Sequence, residues 1–407
     1  MFAQLAFGKL EMCPLGFGSY FSSPNDTNLL DKMNKRDCLP LCRVTCFTVL
    51  LGLFFACTCQ PAHAAESGVP GKLPRAPERS FSIVVIPDTQ QYRGRGTKVA
   101  ADSEDGALTN RVLDSWTDWI AANLDRQRIA FVSHVGDIVD LNNREQWAFA
   151  RRCMDKVHGR VPYGISVGNH DMIPGSGDSS LFQEVFPKSR FEQFKWYGGC
   201  FTQTSGSSAI SGNNANSVQL FEAAGMEFVV LHLECNAPDD VLQWANDTLH
   251  RYSDRRAIVT THMGLGPRVK PKTGRDYFDA PKGRMLWSKC HGKRGNTSQQ
   301  MWDKCFKLHE NLFLVCCGDQ SRTQAMRQKS TGQHGNVVHE LLSDYGTNGL
   351  RVMRFIPAKN QVEVRTWDPR NGVLCESTTI VKDRGQHCFT LAYEMRDGRQ
   401  NDQKRLK

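Results

Sequence analysis

Residues 163–171 carry the sequence YGISVGNHD, an apolar run that ends in Gly168-Asn169-His170-Asp171. A short apolar run bounded by glycine and polar residues is typical of a buried strand. Three further apolar runs also end in residues that can bind a metal ion: Asp88 in PDTQ, Asp137 in GDIVD and His262 in TTH. The polar residues at these strand ends are therefore the first candidates for a functional site.

The segments around these motifs alternate between strand-like and helix-like patterns. Strands are predicted at 81–86, 129–135, 163–167, 218–221, 228–233, 257–261 and 312–317, and helices at 108–124, 145–157 and 241–252. Apolar residues recur every three or four positions in the helical segments and run continuously in most strands. This order predicts a layered α/β fold whose strand ends gather at one edge, where α/β proteins place their sites.

Length and composition limit the number of domains and the classes of partner that the chain can have. A chain of 407 residues with 40% hydrophobic residues can build one large α/β domain or two average ones, which excludes global disorder. The formal net charge of +9 favours acidic partners such as phosphate-bearing molecules, although on a chain of this size it can also serve solubility alone.

The first 64 residues resemble an export signal. A basic stretch around Arg43 precedes the apolar residues 44–57, which are too few to span a membrane, and Ala62-His63-Ala64 follows as a small-x-small cleavage site. We predict that translation starts at Met33 and that cleavage after Ala64 gives a periplasmic or secreted protein with no transmembrane segment. A buried apolar helix is the alternative interpretation.

The remainder divides by composition. Residues 65–80 are rich in proline, glycine and charge and are predicted to form a linker; residues 81–394 form the folded domain, and the charged residues 395–407 form a flexible tail. The mature chain would keep nine cysteines, an odd number that cannot all pair with one another. A disulfide could form between Cys290 and Cys305 or between Cys375 and Cys388.

The strand-end residues combine oxygen and imidazole donors, which suit Zn, Mn or Fe. Asp137 can bridge two cations about 4 Å apart, and such a pair both activates water and stabilises an in-line displacement at phosphorus. Singly, each residue has an ordinary explanation, because an Asp after a strand often caps a turn and a lone His is often structural. Together they predict a centre for metal-dependent phosphoester hydrolysis.

The order of these motifs resembles the calcineurin-like metallophosphoesterases, which are marked by DxH, GD, GNHD or GNHE, a His and GHxH. The likeness runs from about Phe81 to Pro369, and residues 168–171 are its most specific segment. Pro-Asp-Thr-Gln in place of DxH and the stretch that begins at His339 resemble a bacterial exported branch of this family. The resemblance implies a central β-sandwich of two mixed sheets, flanked by helices.

The resemblance also implies roles for individual residues. Two divalent metal ions would share Asp137. Asp88 and Gln90 would also bind the first ion. The second would also be bound by Asn169, His262 and Asp319. His170 would stabilise charge on the phosphoryl group or protonate the departing oxygen, with Asp171 orienting its imidazole. Hydroxide held by the metals would be the nucleophile.

This chain departs from the family pattern at three imidazoles. Gln90 replaces the His of DxH, and Gly318-Asp319-Gln320-Ser321 stands where GHxH is expected. Asp319 can substitute for a histidine ligand, whereas Ser321 is a weak substitute. The first site would then be weak and oxygen-only, favouring Mn or Mg, with His334 as an alternative ligand.

Two loops are candidates for binding substrate. Residues 175–216 are predicted to cover the site beside His170, and the basic residues 264–296 follow His262 directly. Arg268 and Lys270 in this second loop could bind phosphate oxygens, but a solvated basic loop is an equally good interpretation.

The sequence thus predicts hydrolysis of a phosphate mono- or diester on a phosphorylated small molecule or glycan. Nucleic acid is an alternative substrate that the sequence does not favour. The alternative is a catalytically degraded module on the same fold that binds an anionic ligand or a partner, because the usual histidines are missing.

Overall fold

A computed structural model describes residues 73–90, 111–203, 206–274, 276–345 and 349–395. The predicted signal segment 1–64, its start at Met33 and the tail after residue 395 lie outside these residues. Residues 73–80 of the predicted linker pack against the domain: Leu73 and Ala76 are buried, and the N–H of Ala76 donates to the carbonyl of Arg126 (3.1 Å). None of the described helices is long and apolar enough to cross a bilayer.

The described residues form strands and short helices in alternation. The strands are β1 Phe81–Ile86, β2 Ile129–His134, β3 Tyr163–Ile165, β4 Tyr197–Cys200, β5 Ser217–Ala223, β6 Met226–Leu233, β7 Arg256–Thr261, β8 Gly266–Pro267, β9 Lys282–Gly283, β10 Leu312–Cys317, β11 Ala325–Thr331, β12 Val337–Ser343, β13 Leu350–Ile356, β14 Gln361–Asp368, β15 Val373–Leu374 and β16 Phe389–Ala392. The helices are α1 Val112–Asn123, α2 Arg144–Asp155, α3 Ser180–Val185, α4 Asp239–Arg251, α5 Asp276–Asp279 and α6 Ser298–Lys304.

Two large sheets organise these strands. The first has the order β15-β14-β13-β1-β2-β3, with β16 also paired to β14, and the second has the order β11-β12-β10-β7-β6-β5-β4. Both are mixed: β1, β2 and β3 run parallel while β13 is antiparallel to β1, and β12, β10, β7 and β6 run parallel beside antiparallel neighbours. The predicted α/β fold with two mixed sheets and flanking helices is therefore confirmed.

An aromatic cluster joins the inner faces of the two sheets. Phe81 in β1 contacts Phe228 in β6 (ring centroids 5.6 Å apart), and Phe131 in β2 stacks on Phe221 in β5 (5.0 Å). The outer faces bury separate apolar clusters, one against α1 and α2 and the other against α4 and α6. Nearly continuous apolar runs such as residues 81–86, where Ser82 is the polar exception, follow from this arrangement, because strands covered on both faces need apolar residues at most positions.

The parallel strands bring the sequence motifs to one edge. Each motif residue lies just beyond the carboxyl end of a strand: Asp88 after β1, Asp137 after β2, Asn169 and His170 after β3, His262 after β7 and Asp319 after β10. Parallel strands end on the same side of their sheet, so these residues become neighbours across large separations in sequence.

The cysteines of the described residues are all free thiols, so neither candidate disulfide is formed in the structure. The thiol of Cys290 contacts that of Cys235 instead of the predicted Cys305. Cys316 and Cys317 are buried in β10, as their apolar surroundings in the sequence suggest.

We expect Phe228→Ala to lower the free energy of unfolding by roughly 3–5 kcal/mol, because it removes the ring that contacts both sheets and leaves a cavity. Urea denaturation followed by circular dichroism measures this loss. Val337→Ala on β12, where the side chain is exposed, is the control and should change stability by no more than about 0.5 kcal/mol. Equal losses in the two variants would contradict the role of this cluster.

Candidate active site

A cavity of about 180 Å³ opens at the edge where the strands end. It is lined by Gln90, Asp137, Asn169, His170, Lys270, Tyr277, Trp287, Lys289, Asp319, Gln320, Ser321, Arg322 and Asp344. Most of the predicted site residues therefore meet in one place. Asp88 and His262 are fully buried and contact the lining residues from below.

Glycines allow the turns at this edge to approach closely. A Cβ on Gly168 would lie 2.1 Å from Oδ1 of Asp137, and one on Gly318 would lie 2.0 Å from Oδ1 of Asp88. Asp137 itself has a left-handed backbone (φ 50°), which directs its carboxylate to the N–H of His170 (2.9 Å). Any larger residue at 168 or 318 would push a predicted metal ligand out of place.

His262 presents one nitrogen to this group of carboxylates. Its Nδ1 donates to the carbonyl of Val135 (3.1 Å), and its Nε2 lies 3.2 Å from Oδ1 of Asp137 and 3.6 Å from Oδ1 of Asp319. Burial alone would lower the pKa of the imidazole, but the negative charge of Asp137 and then of Asp88 raises the pKa well above its usual range. A proton or a metal cation is therefore held strongly between these groups.

Several buried oxygens in the same region have no hydrogen-bond partner among the described residues. They include Oδ1 of Asp88, Oε1 of Gln90 and Oδ1 of Asp344. Burial raises the pKa of Asp88 well above its usual range, and the nearby charge of Asp344 raises it further. Unsatisfied buried acceptors and crowded carboxylates are what a divalent cation would stabilise, so the residues present fit a metal centre.

One trio meets the geometric condition for a shared cation. Asp88, Asp137 and His262 each offer a ligand atom, and these atoms lie within 4.8 Å of one another. All three side chains are buried, which protects a bound ion from competing water. The predicted dependence on divalent metal is thus supported by a buried Asp-Asp-His cluster.

His170 is oriented by a residue that the sequence did not indicate. Its Nδ1 lies 2.8 Å from the carbonyl oxygen of Asp140 and 3.5 Å from that residue's Oδ1. The carboxylate of Asp171, predicted for this role, instead accepts from the N–H groups of Val139 (3.1 Å) and Gly168 (2.8 Å). The GNHD turn folds Asp171 back onto its own backbone, so Asp171 stabilises the turn and Asp140 holds the imidazole.

The surroundings of His170 favour its charged form. Burial would lower the pKa of the imidazole, but the negative charge of Asp137 and the contacts with Asp140 outweigh burial and raise the pKa to about 9. Because Nδ1 is engaged with Asp140, Nε2 is the nitrogen left for a ligand in the cavity.

Lys289 belongs to the predicted basic loop, but the sequence did not indicate its contact with Asp319. Its ammonium donates to Oδ1 of Asp319 and approaches Oδ1 of Asn169 (3.5 Å). Oδ2 of Asp319 also accepts from Nε2 of Gln320 (2.9 Å). The carboxylate that replaces a usual histidine of the family thus has its own positive partner, supplied from the loop between β9 and α6.

The basic loop serves different purposes along its length. Lys270 and Lys289 line the cavity, and Arg322 joins them from the loop after β10. Arg268 does not line it; its backbone N–H donates to the carbonyl of Pro281 (2.8 Å) where β8 meets β9. Arg284 is paired with Glu340 (2.7 Å). The prediction of substrate contact is consistent with the position of Lys270 but not with that of Arg268.

Two other sequence hypotheses do not fit the geometry. The alternative ligand His334 bonds the carbonyl of Leu308 (3.2 Å) and does not line the cavity. No described residue of the predicted cover, 175–216, lines it either; Trp196 in this stretch stacks on Phe194 (5.0 Å) and packs against the apolar cluster of the first sheet. Packing of aromatic residues, not coverage of the site, accounts for this loop.

The sequence model of a family described as calcineurin-like phosphoesterase matches residues 81–287. The chain belongs to this family. The match covers the elements that carry Asp88, Asp137, Asn169 and His262, and it confirms the predicted family.

Similar proteins include an uncharacterized protein, YvnB, of Bacillus subtilis (strain 168), which is 26% identical over 301 residues. The match covers 71% of this chain but only 20% of YvnB, so the chain spans about a fifth of that relative.

Among solved structures, the chain is similar to purple acid phosphatase PPD1 from yellow lupin (Lupinus luteus), with 13% identity, TM-score 0.46, and 78% of this chain and 55% of that one covered. It is also similar to a dimetal phosphatase from Danio rerio, with 11% identity, TM-score 0.43, and coverage of 77% and 99%.

We expect Gly318→Ala to weaken binding of Mn²⁺ at least roughly tenfold, about 1.4 kcal/mol, because the added methyl group displaces the carboxylate of Asp88. Isothermal titration of metal-free protein measures this change. Gly274→Ala is the control, since its Cβ would meet nothing closer than 4.0 Å. Unchanged affinity in Gly318→Ala would show that Asp88 is not a ligand.

Proposed function

We propose that this protein hydrolyses a phosphate mono- or diester in the cavity at the strand ends. The observation that carries the proposal is the buried trio of Asp88, Asp137 and His262, whose ligand atoms lie within 4.8 Å of one another directly under a polar cavity. Such a cluster, in a chain of this family, supports metal-assisted displacement at phosphorus.

Two divalent cations would fit the donor set, sharing Asp137. The first position offers the oxygens of Asp88 and Gln90 and suits Mn or Mg, and the second adds His262, Asn169 and Asp319 and suits Zn, Fe or Mn. Bound there, such ions supply Lewis acidity and an activated water for attack in line with the departing oxygen.

The protein's own groups would act on the rest of the phosphoryl group. His170, held by Asp140, keeps a proton at Nε2 that can stabilise charge on the phosphoryl oxygens or pass to the departing oxygen. Lys270, Lys289 and Arg322 add positive charge around the same cavity, where phosphate oxygens would bind.

The size and lining of the cavity favour small substrates. A volume of about 180 Å³ accommodates a phosphate group and part of its alcohol, and Tyr277 and Trp287 are the aromatic residues of its lining. We therefore favour a phosphorylated small molecule or glycan over nucleic acid. Export to the periplasm or the medium remains part of the proposal, supported by the signal-like sequence before residue 65.

The test is hydrolysis of aryl phosphate monoesters and diesters by the full chain with Mn, Zn, Fe or Mg added. We expect metal-dependent turnover that falls roughly 10²–10⁴-fold in His170→Ala, because the general acid is lost while the metal ligands remain. Metal content measured on the same samples should not change.

His334→Ala is the matched control, since this histidine lies outside the cavity. The absence of turnover with every metal, together with no metal retained by the chain, would contradict the proposal.

A second candidate function is binding of an anionic ligand without turnover. The contact of the Lys289 ammonium with Asp319 and Asn169 favours it, because a resident positive charge at the second position competes with a metal ion.

We expect Lys289→Met to bind the second cation roughly tenfold more tightly than the wild-type protein, because a competing charge next to Asp319 is removed. Titration calorimetry with Mn²⁺ measures both equivalents, and Lys270→Met, which removes a cavity lysine with no contact to Asp319 among the described residues, is the control. Loss of the second ion in Lys289→Met would show instead that the lysine holds Asp319 in its ligand position. A second equivalent found in Lys289→Met but absent from the wild-type protein would favour the binding module.

A further inference from the structure

Asp344 lies at the same edge as the predicted ligands, yet it belongs to none of the family motifs. It directly follows β12, which runs parallel to β10, and Cys317 of β10 pairs with Leu342 of β12. Asp319 and Asp344 each lie two residues beyond this pair. The two residues therefore follow the ends of neighbouring strands, and both line the cavity.

The positive charge that acts on Asp344 is that of His262, and the carboxylate of Asp344 makes no ion pair of its own among the described residues. Its side chain is buried, its Oδ1 has no hydrogen-bond partner, and no ion pair involves it within the part of the chain that the structure describes. The backbone N–H of Asp344 donates to the carbonyl of Gln324 (2.8 Å), which fixes this strand end in place. A buried carboxylate held so rigidly without a partner is unfavourable unless a cation or a proton neutralises it.

Asp344 interacts with Asp88 and lines the same cavity as Gln90, and these are the two residues that define the weak first site. Among neighbouring charges, Asp344 has the largest effect on Asp88, and Oδ1 of Asp88 and Oε1 of Gln90 are also unpartnered. Carboxylate and amide oxygens of this kind are the donors that hard divalent cations prefer.

We propose that Asp344 is a ligand of the first cation, completing with Asp88, Gln90 and Asp137 an all-oxygen site that replaces the imidazoles missing at positions 90 and 321. The assignment rests on the proposed metal centre and deepens it, because it makes the first site stronger than the family motifs alone predict. The two ions then differ in chemistry: the first is bound by oxygen only, and the second by oxygen and an imidazole.

The competing account is that Asp88 and Asp344 share a proton and bind no ion. Metal counting separates the two, since a carboxyl pair of this kind takes up no Mn²⁺. The full chain is stripped with chelator and titrated with Mn²⁺, and bound ion is counted by elemental analysis and by electron paramagnetic resonance.

We expect the wild-type chain to bind two equivalents of Mn²⁺. In Asp344→Asn, the affinity for one equivalent should fall at least tenfold, while the affinity for the other should not change. His262→Ala should lose the opposite equivalent. Asp344→Glu, which keeps the charge, should retain both. Asp368→Asn is the matched control, because Asp368 is also a buried aspartate at a strand end but does not line the cavity.

Thermal unfolding adds a readout that a merely structural role would not produce. Without metal, Asp344→Asn should be at least as stable as the wild-type protein, because repulsion with Asp88 is relieved; with Mn²⁺, it should gain less stability than the wild-type protein. Lower stability in both conditions would indicate a structural role and overturn the assignment.

Failure of the assignment can be told from failure of the metal centre. A wild-type chain that binds no ion contradicts the proposed function and the inference together. A wild-type chain with two ions, beside an Asp344→Asn variant that binds both with unchanged affinity or loses both, contradicts the role of Asp344 alone.

Discussion

The repulsion among four buried carboxylates is the interaction on which the rest of the site depends. Asp88, Asp137, Asp319 and Asp344 meet at one edge, and the protein supplies few positive groups to balance them. Lys289 and His262 offset part of this charge. Protons or bound cations would neutralise the remainder, so the fold holds these side chains in an arrangement that a divalent cation would stabilise.

The scaffold can support this repulsion because the two sheets are joined far from it by apolar contacts. The rings of Phe81, Phe131 and Phe228 pack between the sheets, and the helices cover their outer faces. Glycines at 136, 168 and 318 then let the loops approach within distances that a Cβ would prevent. Apolar burial thus stabilises the fold while the strand ends remain free to concentrate charge.

The residues that depart from the family motifs can be understood together once the charges of the assembled site are compared. Asp319 introduces a negative charge where the family has an imidazole, and Lys289 partly neutralises it. The first position loses its imidazoles, and Asp344 brings a carboxylate to the same place. His170 keeps its place in the cavity, but its imidazole is held by Asp140 and not by Asp171. A different set of residues would therefore serve the same chemistry.

Much of the molecule could be predicted from local patterns. Apolar runs that end in Asp88, Asp137, Asn169 and His262 predict both buried strands and the residues at their ends, since strand formation and turn chemistry depend on neighbours in sequence. The partners of those residues could not be predicted in this way. The N–H of Asp319 reaches Asp88 across 231 positions, and Lys289 meets Asn169 across 120. Such contacts depend on which strands become neighbours in the sheets, and strand order is decided by packing of the whole domain. For this reason the positions of Asp140 and Asp344 at the site, and the contact of Lys289 with Asp319, were recognisable only once the strands were assembled.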